Sequence, residues 1–182
     1  MDLAKNTEIT NQNVPASQLL NEELVPDKIL VGERLYAAAI DIVLSNAQQE
    51  LLIFDQDLSH GDFASVRKYE LLQQFLAKDE ASRLVIILQD ARYFQTSCPR
   101  LFNLLEVFGH KMTVYETNTS AKHAKDCFII ADARHYIKRI HIDQPRFRYA
   151  FDDNTSVEGL NMRFEELLDA TQEAVSPTTL GL

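Results

Sequence analysis

Hydrophobic and polar residues follow two kinds of period along the chain, and together they predict a series of helices and strands. Apolar residues at three- and four-residue steps predict helices over residues 28–46, 65–78, 99–108 and 156–173. Apolar runs rich in β-branched residues predict strands over residues 50–56, 83–88, 111–117 and 126–131, with further β segments over 135–142 and 146–151. Strands separated by helices indicate parallel crossovers, whereas the last β segments look antiparallel. The predicted fold class is therefore α/β, a mixed β-sheet flanked by helices.

The two ends of the chain lack this periodicity. Residues 1–27 are rich in Asn, Gln, Glu and Thr, which predicts a flexible N-terminal arm, and residues 176–182 are predicted to form a flexible C-terminal tail. The remaining residues, 28–175, are enough for one domain with its own hydrophobic core.

Composition is that of an ordinary globular protein, with 46% hydrophobic and 25% charged residues among 182. The longest apolar runs fall far short of the ~20 residues that cross a bilayer, and the first 25 residues contain no apolar signal-peptide core. These features predict a cytoplasmic protein without a membrane span. In that compartment we expect Cys98 and Cys127 to be reduced.

Charge is distributed unevenly along the chain. The net charge of −9 argues against broad adhesion to nucleic acid or anionic lipid, yet residues 121–148 carry seven basic and three acidic side chains. A local basic patch on an acidic body suits a small anionic group. Its candidate phosphate-binding residues are Lys138, Arg139, Arg146 and Arg148. The alternative is that cations on edge strands only discourage sheet-to-sheet aggregation.

The stretch KHAKDCFIIADARH, residues 122–135, places a histidine and a lysine in front of an apolar run. If both residues belong to the strand, His123 and Lys125 point to the same side about 6.6 Å apart, and together they could hold one anion. A neutral imidazole can attack phosphorus while an ammonium group neutralises the phosphate oxygens. Such chemistry requires no cofactor, and we expect none. The plainer explanation is a solvated strand entrance.

The segment HAKDCFIIAD resembles the HxK-containing (HKD) motif of the phospholipase D superfamily, and the order of elements over residues 28–173 is similar to one half-domain of that family. The resemblance implies a metal-independent phosphodiesterase or nuclease, a hydrolase. In it, His123 is nucleophile or acid, Lys125 holds the phosphate and Asp132 orients the histidine. The family combines two such motifs in one site, whereas this chain contains one. The resemblance therefore implies a homodimer in which two copies of His123 face each other.

Two features differ from the family pattern. Six residues, rather than four, separate Lys125 from Asp132, which displaces Asp132 by about 6.6 Å along a strand. The Gly-Ser and Asn that usually follow the motif are replaced by KRIHID at residues 138–143. A second hypothesis therefore stays open, a catalytically inactive phospholipase D-like fold that serves as a phosphate- or nucleic-acid-binding or assembly module. The substrate, whether lipid, nucleic acid or small phosphodiester, and the enzymatic status are also open.

Two other groups of polar residues are candidates for chemistry. The spacing of His135 and His141 relative to neighbouring aspartates fits no standard zinc pattern, so we predict no metal site. Asp55 and Asp57 follow a predicted strand at its carboxyl end, where ligands of α/β proteins often bind. The alternative is that these two aspartates cap the next loop.

Overall fold

The computed structural model describes residues 23–177, and this part of the chain forms an eight-stranded sheet and five α-helices. The strands are β1 (Ile29–Val31), β2 (Glu50–Asp55), β3 (Arg83–Leu88), β4 (Met112–Thr117), β5 (Cys127–Ala131), β6 (His135–His141), β7 (Gln144–Ala150) and β8 (Thr171–Ala174). The helices are α1 (Glu33–Asn46), α2 (Val66–Lys78), α3 (Arg92–Ser97), α4 (Pro99–Val107) and α5 (Asn154–Asp169).

The sheet is mixed, with strand order β1-β7-β6-β5-β2-β3-β4-β8. Strands β2, β3 and β4 are parallel, and all other neighbouring pairs are antiparallel. The predicted α/β class with a mixed sheet is thus confirmed. Because β5 runs antiparallel to β2, with Phe128 opposite Phe54, the start of β5 lies at the carboxyl end of the parallel strands. The segment that contains His123 and Lys125 therefore lies at that end.

Alternation along each central strand produces two hydrophobic layers. In β2, Leu51 and Ile53 pack in the layer under α1, α2 and α4, whereas Leu52 and Phe54 pack in the layer under α5. Burying a large aliphatic or aromatic side chain stabilises a fold by about 1.5–3 kcal/mol, so the near-continuous apolar sequence of the central strands follows from cover on both faces. In the described part of the chain, the second layer has one helix, α5, which packs on β4, β5 and β6.

Local signals explain where several helices begin. The Ser65 hydroxyl accepts a hydrogen bond from the amide of Lys68 and caps α2, and the Asp153 carboxylate accepts one from the amide of Ser156 and caps α5. Gly32, with φ of 140°, makes the tight turn between β1 and α1, a conformation that L side chains rarely adopt.

Two predicted helices have other bounds in the structure, and three short elements, α3, β1 and β8, were not predicted. The first helix begins at Glu33 rather than at residue 28, because residues 29–31 form an edge strand in which Leu30 lies opposite Phe147 of β7. The last helix ends at Asp169 rather than at residue 173, because β8 pairs with β4. The differences arise because β1 and β8 form through pairing with distant strands and because α3 is short. Local hydrophobic periodicity contains no information on either property.

The predicted terminal segments lie mostly outside the described residues, which exclude 1–22 and 178–182. Within the predicted arm, however, Leu24 is buried in the core and the amide of Asp27 donates a hydrogen bond to the Tyr149 carbonyl at 2.9 Å. The packed part of the chain therefore begins before residue 28. No helix in the described range is both long and apolar enough to span a membrane.

Candidate functional site

His123 and Lys125 lie in a turn that precedes β5, and not on the strand. A short 3-10 helix, Thr119–Ala121, follows β4, and β5 begins only at Cys127. The spacing predicted for two residues on one strand therefore does not apply to this pair. Both side chains are exposed at the carboxyl end of the parallel strands. We call residues 121–126 the motif turn.

The backbone of the motif turn is fixed by a buried amide. Gln89, directly after β3, is 7% exposed and donates from Nε2 to the carbonyls of Ala121 at 3.1 Å and Ala124 at 2.8 Å. The Lys125 carbonyl accepts a hydrogen bond from the amide of Ile142 at 2.7 Å. The main chain is therefore held on both sides of His123.

The two motif side chains, by contrast, have no partner within residues 23–177. Neither the imidazole of His123 nor the ammonium group of Lys125 forms a hydrogen bond or ion pair with any described residue. A fixed backbone that carries an unpaired cation and an unpaired imidazole can receive an external anion without first breaking internal contacts.

Asp132 lies at the opposite end of β5. Its carboxylate accepts hydrogen bonds from the amides of Gln48 at 2.8 Å, Gln49 at 2.7 Å and Glu50 at 2.9 Å. The five residues of β5 separate it from the motif turn by about 16 Å. The expectation that Asp132 orients His123 does not agree with this geometry, since the carboxylate fixes the start of β2 instead.

Arg139 is buried, although the sequence predicted a phosphate ligand. Its guanidinium forms a two-pronged ion pair with Glu33 at 2.9 and 2.8 Å and donates to the Ile142 carbonyl at 2.7 Å. It also lies 5.2 Å from the centre of the Tyr36 ring. The hydrogen bond from Arg139 lowers the pKa of Glu33. Arg139 therefore joins α1 to the end of β6, and it is not accessible to a phosphate.

The other three predicted phosphate ligands lie on β6 and β7, beside the motif turn rather than in it. Lys138 on β6 is opposite Arg148 on β7, and Arg146 lies two residues before Arg148. Lys138 pairs with Asp126 at 3.4 Å, and Arg148 pairs with Asp27 at 3.4 Å. Arg146 is exposed and has no ion pair with any described residue. The basic segment of the sequence thus supplies the motif turn and a neighbouring group of cations on β6 and β7.

Carboxylates also lie at the carboxyl end of the sheet. Glu116 pairs with Lys122 at 3.3 Å, and Asp90 pairs with Arg92. The hydrogen bond from Arg92 lowers the pKa of Asp90 to about 2. These pairs neutralise Lys122 and Arg92, so within residues 23–177 His123 and Lys125 are the unpaired anion-binding groups of the motif turn.

Asp55 was predicted either to approach a ligand or to cap a loop, and in the structure it caps the loop that follows β2. Its carboxylate is buried and accepts from the amides of Asp57 at 3.1 Å and Leu58 at 2.9 Å. Burial raises the pKa of Asp55. This contact shapes the loop after β2, in which Leu58 has a φ of 69°.

Neither metal nor disulfide chemistry is indicated by the described residues. His135 and His141 lie at opposite ends of the seven-residue strand β6, and no group of three or more His, Cys, Asp or Glu side chains within residues 23–177 could hold a metal ion. Cys98 and Cys127 are both buried free thiols. Burial raises the pKa of Cys98 to about 11, which makes it a poor nucleophile.

Gln89 and Glu33 were not among the predicted functional residues. Gln89 is the first polar residue after the apolar run RLVIIL, at the carboxyl end of a parallel strand, where α/β sites commonly form. That position was the only sequence signal for it. Glu33 gives no signal, because its partner Arg139 is 106 residues away along the chain.

Comparisons with known proteins connect this geometry to a family. A family model described as "Domain of unknown function (DUF7931)" matches residues 33–176. No curated protein matches the sequence.

Solved structures share the fold at low sequence identity. The phospholipase D family member Nuc from Salmonella typhimurium superposes with a TM-score of 0.60 at 10% identity, covering 82% of this chain and 99% of Nuc. TrmBL2, an archaeal chromatin protein with a novel mode of DNA binding, gives 0.60 at 13% identity, covering 86% of this chain. Phosphatidylserine synthase from Haemophilus influenzae gives 0.51 at 14%, covering 85% of this chain. This chain spans 60% of TrmBL2 and 40% of the synthase. The predicted phospholipase D-like fold is confirmed.

Proposed function

The chain belongs to the family described as Domain of unknown function (DUF7931), and we propose that it is a phospholipase D-like domain that binds a phosphate or phosphodiester group at the motif turn. In this proposal Lys125 neutralises the phosphate charge and His123 donates a hydrogen bond to one of its oxygens. The ligand is recognised by the anionic group that a lipid, a nucleic acid and a small phosphodiester share.

One observation carries the proposal, the clamp that Gln89 places on the motif turn. A buried amide that holds the carbonyls of Ala121 and Ala124 fixes the backbone around His123 before any ligand binds. A ligand that binds a fixed turn does not have to order the backbone, and this lowers the entropic cost of association. A turn that served only as a solvated connection would not require this buried donor.

Binding without turnover is better supported than catalysis. A histidine nucleophile is normally held in one orientation by a carboxylate or carbonyl on its second nitrogen. Among residues 23–177 His123 has no such partner, and the carboxylate of Asp132 is used at the other end of β5. The structural neighbour TrmBL2 is described as a chromatin protein that binds DNA, so this fold also occurs in a protein whose described role is binding.

The binding proposal is tested with inorganic phosphate and bis(p-nitrophenyl) phosphate as probes, measured by calorimetry and by the NMR shifts of the histidine ring protons. We expect both probes to shift His123, and His123→Ala and Lys125→Ala each to weaken binding by about tenfold. The matched control is His110→Ala, because His110 is an exposed histidine beside the start of β4, at the opposite end of the sheet. Equal binding by the motif variants and the control would contradict the proposal.

A second candidate function is metal-independent phosphodiester hydrolysis by a homodimer. The observation in its favour is that the imidazole of His123 is exposed, so that a twofold partner could place the partner subunit's His123 on the other side of one phosphate. One histidine would then form the bond to phosphorus, and the other would protonate the leaving oxygen.

The second candidate is tested by following hydrolysis of bis(p-nitrophenyl) phosphate without added metal while sedimentation reports the oligomeric state. If the candidate is correct, activity rises with dimer concentration and is lost in His123→Ala. A monomer, or a protein that binds the probe but never releases p-nitrophenol, excludes hydrolysis and leaves the binding proposal intact.

A further inference from the structure

Among residues 23–177, the helical cover on one face of the sheet extends over only part of the sheet's width. Helix α5 packs on β4, β5 and β6, and the opposite face of β6 and β7 is covered by α1. On the α5 side, beyond α5, side chains of three strands remain exposed or half-exposed. We call them the outer face, and they are Ile29 and Val31 of β1, Arg146 and Arg148 of β7, and Lys138 and Ile140 of β6.

Three large aliphatic side chains of the outer face are exposed to solvent. Ile29 is 52% exposed, Val31 is 64% exposed and Ile140 is 42% exposed. Ile29 and Ile140 line a groove of about 450 Å³ together with Lys138 and Arg148. Apolar side chains that cluster with cations, instead of being scattered singly, indicate an interaction surface.

The charges of the outer face are only partly neutralised. The Arg148–Asp27 pair is long, at 3.4 Å, and exposed on both sides, so it contributes little attraction. Asp126 is largely buried, but Lys138, which pairs with it at 3.4 Å, keeps its own side chain 38% exposed. Arg146 has no ion pair with any described residue. The face therefore retains positive charge that carboxylates of a partner can neutralise.

The dimensions of the outer face suit one helix. Three neighbouring strands spaced about 4.8 Å apart span roughly 10 Å, close to the 10–12 Å diameter of an α-helix with its side chains. The border with α5 is marked by Asp126, whose carboxylate accepts from Arg163 of α5 at 2.7 Å and pairs with Lys138. A helix seated on the outer face would continue the layer that α5 begins.

We propose that the outer face docks an acidic amphipathic helix of a partner protein, which lies beside α5 on β6, β7 and β1. Its apolar stripe packs on Ile29, Val31 and Ile140, and its carboxylates pair with the three cations of the face. This docking surface meets the motif turn at the Lys138–Asp126 pair, but the proposal does not depend on phosphate binding at the turn.

Nucleic acid and a second copy of the chain fit the outer face less well. Single-stranded nucleic acid is usually held by exposed aromatic rings and a continuous track of cations, whereas Tyr136 of this face is buried and half of the face is aliphatic. Two outer faces brought together by a twofold axis would place Arg146 and Arg148 near the same residues of the other copy, so like charges would oppose the contact.

The test uses a fluorescent synthetic helix of about 18 residues, ~27 Å long, with leucines along one face and glutamates on the others. Binding to the full chain is followed by anisotropy. We expect the probe to bind, and Arg146→Glu and Val31→Ser each to weaken its binding about tenfold, since both side chains are exposed and neither change disturbs the core. The control variant is Arg100→Glu, an exposed arginine on α4, across the sheet.

Several outcomes would overturn the proposal. They are equal binding of a probe with lysine in place of glutamate, unchanged binding by the Arg146 and Val31 variants, and binding of a single-stranded oligonucleotide or anionic vesicles but not of the helix. Tighter binding of the probe to a Leu19→Ser, Leu20→Ser chain would assign the outer face to the chain's own N-terminal segment instead.

Discussion

The two ends of β5 use the polar residues of one motif in opposite ways. At the carboxyl end of the parallel strands, His123 and Lys125 are exposed, and their side chains bind nothing else in the described range. At the other end, the carboxylate of Asp132 accepts three backbone hydrogen bonds. A carboxylate whose oxygens already accept backbone hydrogen bonds is unavailable to a ligand. A charged side chain without an internal partner does not stabilise the fold through its charge and remains free to bind one. Within ten residues of sequence, one end of β5 thus carries a side chain that stabilises the fold, and the other end carries side chains available for ligand binding.

The largest effect on stability is expected at the Asp132 end. Asp132→Ala leaves the amides of Gln48, Gln49 and Glu50 without an acceptor, and we expect a loss of about 2–3 kcal/mol in the free energy of unfolding. Denaturant unfolding measures this loss, and the phosphate affinity of the folded fraction should stay unchanged. Asp143→Ala, at an exposed hairpin position, serves as the control, with a change below about 0.5 kcal/mol. A marginal effect of Asp132→Ala would remove the contrast between the two ends.

Gln89 connects stability and recognition at the motif turn. Gln89→Leu keeps the volume but removes the donors to Ala121 and Ala124, and we expect a loss of about 1–2 kcal/mol in the free energy of unfolding. Because the turn is then no longer fixed, phosphate affinity should fall although no ligand-contacting atom has changed. Calorimetry with inorganic phosphate checks this. Unaltered affinity would show that the clamp serves the fold alone.

The motif side chains should contribute to affinity and hardly to stability. His123→Ala and Lys125→Ala remove groups without partners among residues 23–177, so we expect changes within about 0.5 kcal/mol in the free energy of unfolding. Thermal unfolding of both variants beside wild type measures this. A loss above about 1 kcal/mol would mean that the two residues stabilise the fold after all.

The smallest effect is expected from Asp90, the carboxylate beside the motif turn. Its pKa is lowered to about 2 by Arg92, so the folded state holds the charged form more strongly than the unfolded chain does. This pair therefore stabilises the fold above about pH 4, and the contribution is lost as the pH falls toward 2. Because the pair is exposed, Asp90→Asn should flatten the pH dependence of the melting temperature only slightly in that window. A steeper pH dependence of the melting temperature in Asp90→Asn would contradict the stabilising role of the Asp90–Arg92 pair.

Much of the fold can be predicted from the local hydrophobic pattern of the sequence, whereas the candidate site can be predicted only in part. The central strands and helices α1, α2, α4 and α5 are visible in the sequence because apolar periodicity is a local property. Strands β1 and β8 are short and exist through pairing with β7 and β4, so no local signal predicts them. The HxK spacing located His123 and Lys125 but not the turn that carries them.

The roles of Asp132 and Arg139 could not be predicted from the sequence. The two additional residues before Asp132 predicted a shift along a strand, whereas the chain in fact leaves the strand after Ala131 and turns with a φ of 53° at Asp132. Arg139 looks like one more surface cation of a basic segment. Its burial depends on Glu33 and Tyr36, which reach it only in the folded chain.

The pairing of β1 with β7 also bears on when the fold can be completed. Ile29 cannot meet Arg148 until nearly the whole domain has left the ribosome, which at about 5–20 residues per second leaves the first strand waiting for several seconds. Strands β2, β3 and β4 and their crossover helices can meanwhile assemble from contacts closer in sequence. Because β1 is a three-residue strand that is paired on one side only, native-state hydrogen exchange is expected to find the lowest protection at Leu30 and Gly32 among the paired amides of this edge of the sheet.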